Sequence, residues 1–205
     1  MLVAVSGTPE FRPVFDFLSR MEVYNLNPEV IREPQTPDAG DVLLRDGSNA
    51  ASALSRLQTR DAESNARLLE YLRAIVPGIS GAERKSLGSH ETIEFTQSVE
   101  GSKFPWRFDA SNMSDGTLRA LGVLVALFQG LNDQHVSLIA IEEPEIALHP
   151  GAASALRDAL FEASTHRQVL CTSHSPALLD SAEIDDSRLV SIVSDEGKTV
   201  ITRLD

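Results

Sequence analysis

Two hydrophobic rhythms run along the chain, and the change between them falls near residue 111. From Ser114 onward, short apolar runs alternate with stretches spaced for helices: helix 115–130, strand 136–141, helix 151–165, strand 168–172 and helix 176–181. Continuous apolar runs of this length predict strands buried on both faces, as in a mostly parallel sheet flanked by helices. The first 110 residues are more mixed. A short strand is expected over 1–6, and Thr8-Pro9-Glu10 opens a helix to about Arg20. Pro34, Pro37 and Gly40 make 33–41 an extended linker, after which Asp46-Gly47-Ser48-Asn49 caps a helix to about Thr59. A second helix over 62–76 carries Leu68, Leu69, Leu72 and Ile75 on one face and stops at Pro77-Gly78. Residues 92–96 and 104–109 read as antiparallel strands around a turn at Gly101, and 188–193 with 199–203 form a closing hairpin through Asp195-Glu196-Gly197. The expected class is therefore α/β: a parallel core over 111–205 behind a small helical and antiparallel part over 1–110.

The most informative run is Leu138-Ile139-Ala140-Ile141-Glu142-Glu143-Pro144-Glu145, an apolar strand that stops on two adjacent carboxylates. In parallel α/β sheets, ligands gather beyond the carboxyl ends of strands, so Glu142 and Glu143 sit at such a mouth. One carboxylate there suits a hydrated Mg²⁺ and the other a water, the apparatus of nucleotide hydrolysis. Val169-Leu170-Cys171-Thr172-Ser173-His174-Ser175-Pro176 repeats the design with a histidine at the strand end. Upstream, Met113 to Arg119 precedes a long apolar helix, with Ser114 or Asp115 as N-cap and Gly116 admitting a ligand close to the backbone. That helix end is an anion site. Each feature alone has a plainer reading. The acids, Glu145 included, decorate the start of the next helix; His149 before Pro150 is a helix-entry residue, His174 a hydrogen-bonded turn residue, and Ser114 to Thr117 an ordinary cap. Their joint order and spacing favour the functional reading.

Taken in order, SDGTLRAL, LIAIEEPEIALHP and VLCTSHSP resemble the signature motif, the Walker B strand with its D-loop, and the switch-histidine loop of ABC-type ATPases. The branch resembles the RecF/SMC-like ATPases, whose domains are also described as AAA-type, rather than membrane transporters. The resemblance implies a P-loop NTPase fold of ABC type, with ATP and Mg²⁺ as cofactors. It implies that Glu142 holds Mg²⁺ through water, that Glu143 polarises the attacking water, and that His174 senses the γ-phosphate. Ser114 and Gly116, beside Asp115, fall where the signature touches the γ-phosphate bound by the opposite subunit, and Ile146 to His149 occupy the D-loop. It further implies a homodimer with shared nucleotide sites, and DNA repair or defence as settings.

Two departures stand out. Glu142 replaces the usual Walker B aspartate, a longer side chain that still reaches a metal through water. The second departure is larger: no G-x-x-x-x-G-K-[ST] loop occurs in the 205 residues, whose only lysines are Lys85, Lys103 and Lys198. The expected fold is therefore a partial one, the carboxyl-terminal portion of such an ATPase, active only with a phosphate-loop lobe upstream or on another chain. A non-catalytic dimerisation or partner-binding fragment is the alternative. A metal hydrolase using Glu142, Glu143, His149 and His174 is disfavoured, since the histidines lack an i, i+4 pairing.

Composition narrows the setting. A hydrophobic content of 42% supports a real core, and no run approaches the roughly 18 apolar residues of a membrane span. No signal peptide is visible, and the single cysteine, Cys171 in an apolar strand, reads as a small buried core residue of a cytoplasmic protein. With net charge −12 and basic residues scattered among 30 acids, direct DNA binding is not expected; DNA would be reached through other parts. Trp106 is expected in core or hairpin packing, His90 on the surface, and His135 and His166 receive no role.

Overall fold

The computed structural model describes residues 8–131, 136–179 and 184–204. The expected strand over 1–6 lies outside them, as do His135 and the last two residues of the helix expected over 176–181.

At the centre is a three-stranded parallel sheet. Strand β1 (Met21–Tyr24) pairs with β5 (Leu138–Glu142), which pairs in turn with β6 (Gln168–Thr172), so the acid-ended strand lies between the other two. Helix α5 (Asp115–Phe128) is apolar all round, and Leu118 through Phe128 are buried, which makes it the central packing rod. It packs on β5, on α3 (Ala50–Arg60) and α4 (Ala62–Ile75), and on α6 (Ala153–Ser164). Leu68, Leu72 and Ile75 bury the predicted face of α4. A clamp joins α4 to α6: Arg67 Nε and the Tyr71 hydroxyl both donate to Glu162, at 2.8 and 2.7 Å. The Tyr71 ring also stacks on Phe128, with centroids 5.7 Å apart.

A separate antiparallel sheet runs β2 (Ile79–Leu87), β3 (His90–Gln97), β4 (Trp106–Asp109), and a two-stranded hairpin of β7 (Val190–Asp195) and β8 (Lys198–Arg203) follows the core. The hairpin turn has positive φ at Glu196 (47°) and Gly197 (78°), the left-handed pair that matches strand twist in two-residue loops.

Several expectations need correction. The first helix, α1 (Arg12–Leu18), begins three residues after the predicted Thr8-Pro9 start, with Phe11 rather than Thr8 at its cap. Strands β1 and β2 and the short helix α2 (Pro28–Arg32) were not foreseen: Met21 to Tyr24 is too short to show a period, and the β2 sequence ISGAERKSL is polar. Residues 33–41 are extended, as expected, but tied to the fold. Gln35 forms a backbone bridge with Glu91, and its side chain donates to Gly47 O and accepts from Ala51 N. Asn49 caps α3 in position only, since its side chain accepts from Leu44 N instead. Trp106 is 53% exposed; it lies in the hairpin, with its ring near Phe108 and its Nε1 donating to Ser102 Oγ. His90 and His166 are exposed.

The largest correction concerns β6. It was expected to be buried on both faces, yet Leu170 is 57% exposed and Cys171 is exposed too. As the sheet's end strand it has one neighbour, and among the described residues no layer covers its outward side. The Cys171 sulfur is still crowded on its inner side, so desolvation, with Glu145 second, pushes its thiol above the ordinary value.

Candidate functional site

Strand β5 ends because its sequence stops supporting a ladder. Ile139 and Ile141 are buried, Glu142 is the last paired residue, and Pro144 has no amide to donate. The chain then turns sharply, with positive φ at Glu143 (42°) and Ala147 (65°). Such backbone costs about 1 kcal/mol or more per non-glycine residue and persists only where its surroundings hold it. Here Glu143 N donates to both O and Oγ1 of Thr172 at the end of β6, at 3.1 and 3.2 Å.

From the other side the turn is held by Arg119, one helical turn into α5 and 6% exposed. Its Nη2 donates to the carbonyls of Glu142 (2.9 Å) and Glu143 (3.2 Å), and its Nη1 donates to Leu26 O (2.6 Å). Burial lowers its pKa from the ordinary arginine value, while Glu143, Glu145 and Glu142 oppose that shift. Arg119 was not singled out in the sequence, although one charge within an apolar helix is a legible signal.

The carboxylates face outward. Glu142 lies 3.7 Å from Arg45, with its side chain 46% exposed. Glu143 Oε1 lies 3.8 Å from His174 Nε2, so the two parallel strand ends bring this acid and this histidine together. Ser114, Asp115 and Gly116 form the first turn of α5. Of the two candidate caps, Ser114 is the one used: its Oγ accepts from Thr117 N at 3.2 Å. Asp115 pairs with Arg32, whose Nη1 also donates to Met113 O at 2.9 Å. Gly116 packs directly under Ala147 O, where a Cβ would collide with backbone. The start of α5 therefore abuts the turn after β5 in the same chain.

His149 stands apart from this grouping. It is exposed, and its Nδ1 accepts from Gly151 N at 3.1 Å, capping the 3₁₀ turn Pro150–Ala152 that leads into α6. The helix-entry reading describes this contact. Among the described residues no three His, Cys, Asp or Glu side chains gather as a metal cage, and the four-residue hydrolase set does not converge. A Mg²⁺ site needs less, one or two carboxylates completed by waters and phosphates, and the half-exposed Glu142 carboxylate fits that requirement.

Sequence reasoning also passed over Glu145, read only as a helix-start acid. Its Oε1 accepts from Ser173 Oγ at 2.5 Å, joining the turn after β5 to the histidine loop.

Comparisons with known proteins bear on the fold that carries this geometry. The endonuclease GajA of Bacillus cereus (strain VD045) is 41% identical over 64 residues, 31% of this chain but only 11% of that protein's length. An SMC ATPase structure, from work on ATP-driven dimerization and DNA-stimulated activation, superposes with a TM-score of 0.53 at 14% identity, covering 73% of this chain and 87% of that one. The Smc head of Pyrococcus furiosus, bound to the C-terminal domain of ScpA, gives 0.54 at 12% identity, covering 73% of this chain and 36% of that one. These likenesses show a shared fold. The family model described as "AAA domain, putative AbiEii toxin, Type IV TA system" matches residues 45–180, which span both strand ends and the start of α5, and the chain belongs to that family.

Proposed function

We propose that the chain supplies the signature and acidic half of a dimeric ATPase whose phosphates are cradled by a phosphate-loop lobe, upstream in a longer protein or on another chain. The observation that carries this reading is the convergence of Glu143 and His174, 3.8 Å apart at adjacent parallel strand ends. Glu142 binds Mg²⁺ through water, and Glu143 orients and polarises the attacking water. His174 contacts the γ-phosphate. Ser114, Asp115 and Gly116 present the amino terminus of α5, with its positive dipole end, to a nucleotide held by the opposite subunit. His149 lies at the end of the D-loop and joins the dimer face. Bound Mg²⁺ would neutralise charge developing on the β- and γ-oxygens.

Two features support an incomplete site. Side-chain exposures of 88% at His174 and 46% at Glu142 leave the catalytic mouth open, whereas phosphoryl transfer depends on positioning in a shielded site. The uncovered outer side of β6, with exposed Leu170, offers the place where a further strand and its lobe complete the sheet. Defence, one of the settings the motif resemblance implies, is the context we favour for the assembly, and the likeness to an endonuclease fits one that acts on DNA. Acidic overall charge puts any DNA contact on its other parts.

The test measures phosphate release and Mg²⁺-dependent nucleotide binding. The 205-residue chain alone is expected to show negligible turnover. In a protein carrying the phosphate loop, Glu143→Gln keeps nucleotide binding but lowers kcat by roughly 100-fold or more, while Glu142→Gln weakens Mg²⁺-dependent binding. Clear hydrolysis by the isolated chain, or the reverse division between the two glutamates, sinks the assignment.

A further inference from the structure

We propose that Glu145 is a positioning residue that aims His174 by holding Ser173. The inference rests on the reading of His174 given above. The His174 imidazole is 88% exposed, and at 3.8 Å from Glu143 it is beyond hydrogen-bond reach, so the fold places it through the backbone of its own loop and not through a bond to the ring. That loop is pinned on both sides of the histidine. Before it, Ser173 Oγ donates to Glu145 Oε1 at 2.5 Å; after it, Ser175 N donates to the same Ser173 Oγ at 3.0 Å. One hydroxyl thus uses its proton on the turn after β5 and its lone pair on the far side of the histidine. This bond joins the acid turn to the histidine loop.

Two observations separate Glu145 from a surface acid. It precedes the helix-entry residue His149, and α6 starts only at Ala153, so it lies beyond the first turn where a helix dipole favours acids. Its Oε2 is also buried with no hydrogen-bond donor among the described residues. Keeping that one oxygen from water without a donor carries a cost that a solvated surface acid does not incur. What the carboxylate adds is the bond to Ser173.

The test has two arms. In the 205-residue chain, hydrogen exchange at the Ser175 amide and the His174 ring resonances are followed by NMR. Glu145→Ala and Ser173→Ala should each speed Ser175 exchange by roughly tenfold, the scale of one hydrogen bond to a charged group, and should shift the His174 ring signals in the same direction. Glu145→Gln, which keeps an acceptor oxygen, should restore most of the protection. In the phosphate-loop protein, Glu145→Ala should lower kcat by roughly tenfold with KM within about twofold, and this loss should vanish in a His174→Ala background. An equal kcat loss in both backgrounds, or unchanged Ser175 exchange, overturns the proposal. If His174→Ala itself leaves turnover unchanged, the catalytic reading of the histidine fails, and the exchange arm alone then decides whether Glu145 positions its loop.

Discussion

At Gly116 a single hydrogen decides whether two motifs fit together. The backbone oxygen of Ala147 occupies the place where a Cβ would stand, and Ala147 is itself held at a φ of 65°. Neither partner is the far end of a flexible side chain, so Gly116→Ala must push the 145–148 turn away from α5. We expect a loss of about 1–3 kcal/mol in urea unfolding, the usual cost of overpacking, and a shift in the amide signals of Glu143 and Ala147. Wild-type stability with unmoved signals would show that the turn yields freely. The sequence marked Gly116 as admitting a ligand close to the backbone; the close approach seen in the fold is that of this chain's own turn. Strand-end residues such as Glu143 and His174 were legible because a short apolar run followed by polar residues fixes where the side chains emerge. The partners of Arg119 and Glu145 were not, because carbonyl and hydroxyl contacts across 23 to 93 positions depend on tertiary approach that no local pattern encodes.

Helices were the most legible elements: α3, α4, α5 and α6 lie within a residue or two of expectation, α4 with a clear stop at Pro77-Gly78. Strands fared by context. β5 matched its apolar run, whereas β6, with an equally apolar run, is exposed because burial belongs to what covers a strand and not to the strand itself. The clamp between α4 and α6 was invisible for the same reason, as its partners are 91 and 95 positions apart. It makes a pH-dependent prediction. Hydrogen bonds from Arg67, opposed by desolvation and helped by Tyr71, hold the Glu162 carboxyl below its ordinary 4.5, while burial and then Glu162 push Tyr71 up to about 12. A depressed carboxyl stabilises the fold fully above its unfolded value, and that contribution is lost as pH falls below 4.5 toward the lower folded value. Glu162→Gln should therefore lower stability at neutral pH by about 1 kcal/mol, a modest figure because Arg67 is 40% exposed and partly screened. The deficit should shrink on acidification, as read from urea midpoints at neutral pH and near pH 3; a deficit independent of pH would assign the effect to packing.

For the whole molecule, the question is which subunit each half of the site serves. Glu143 and His174 converge within one chain, and the first turn of α5 lies behind them against the 145–148 turn, with Ser114 Oγ engaged as a cap. The hydroxyl at this helix end therefore has a local structural duty, and its catalytic duty in our reading lies across a dimer interface. If ATP is sandwiched between protomers, Ser114 acts on the nucleotide of its partner while Glu142 and Glu143 act on their own. Mixing distinguishes this from action within one chain. Two inactive variants of a phosphate-loop-containing form are combined, Ser114→Arg and a substitution of the phosphate-loop lysine. A shared site predicts that mixed dimers regain one working site in two, so that turnover rises with their proportion. A site built from one chain also leaves each variant inactive alone, but predicts no recovery at any ratio. With mixed dimers demonstrated by tagged co-purification, an absence of recovery would refute the shared-site arrangement and leave Ser114 with its capping role alone.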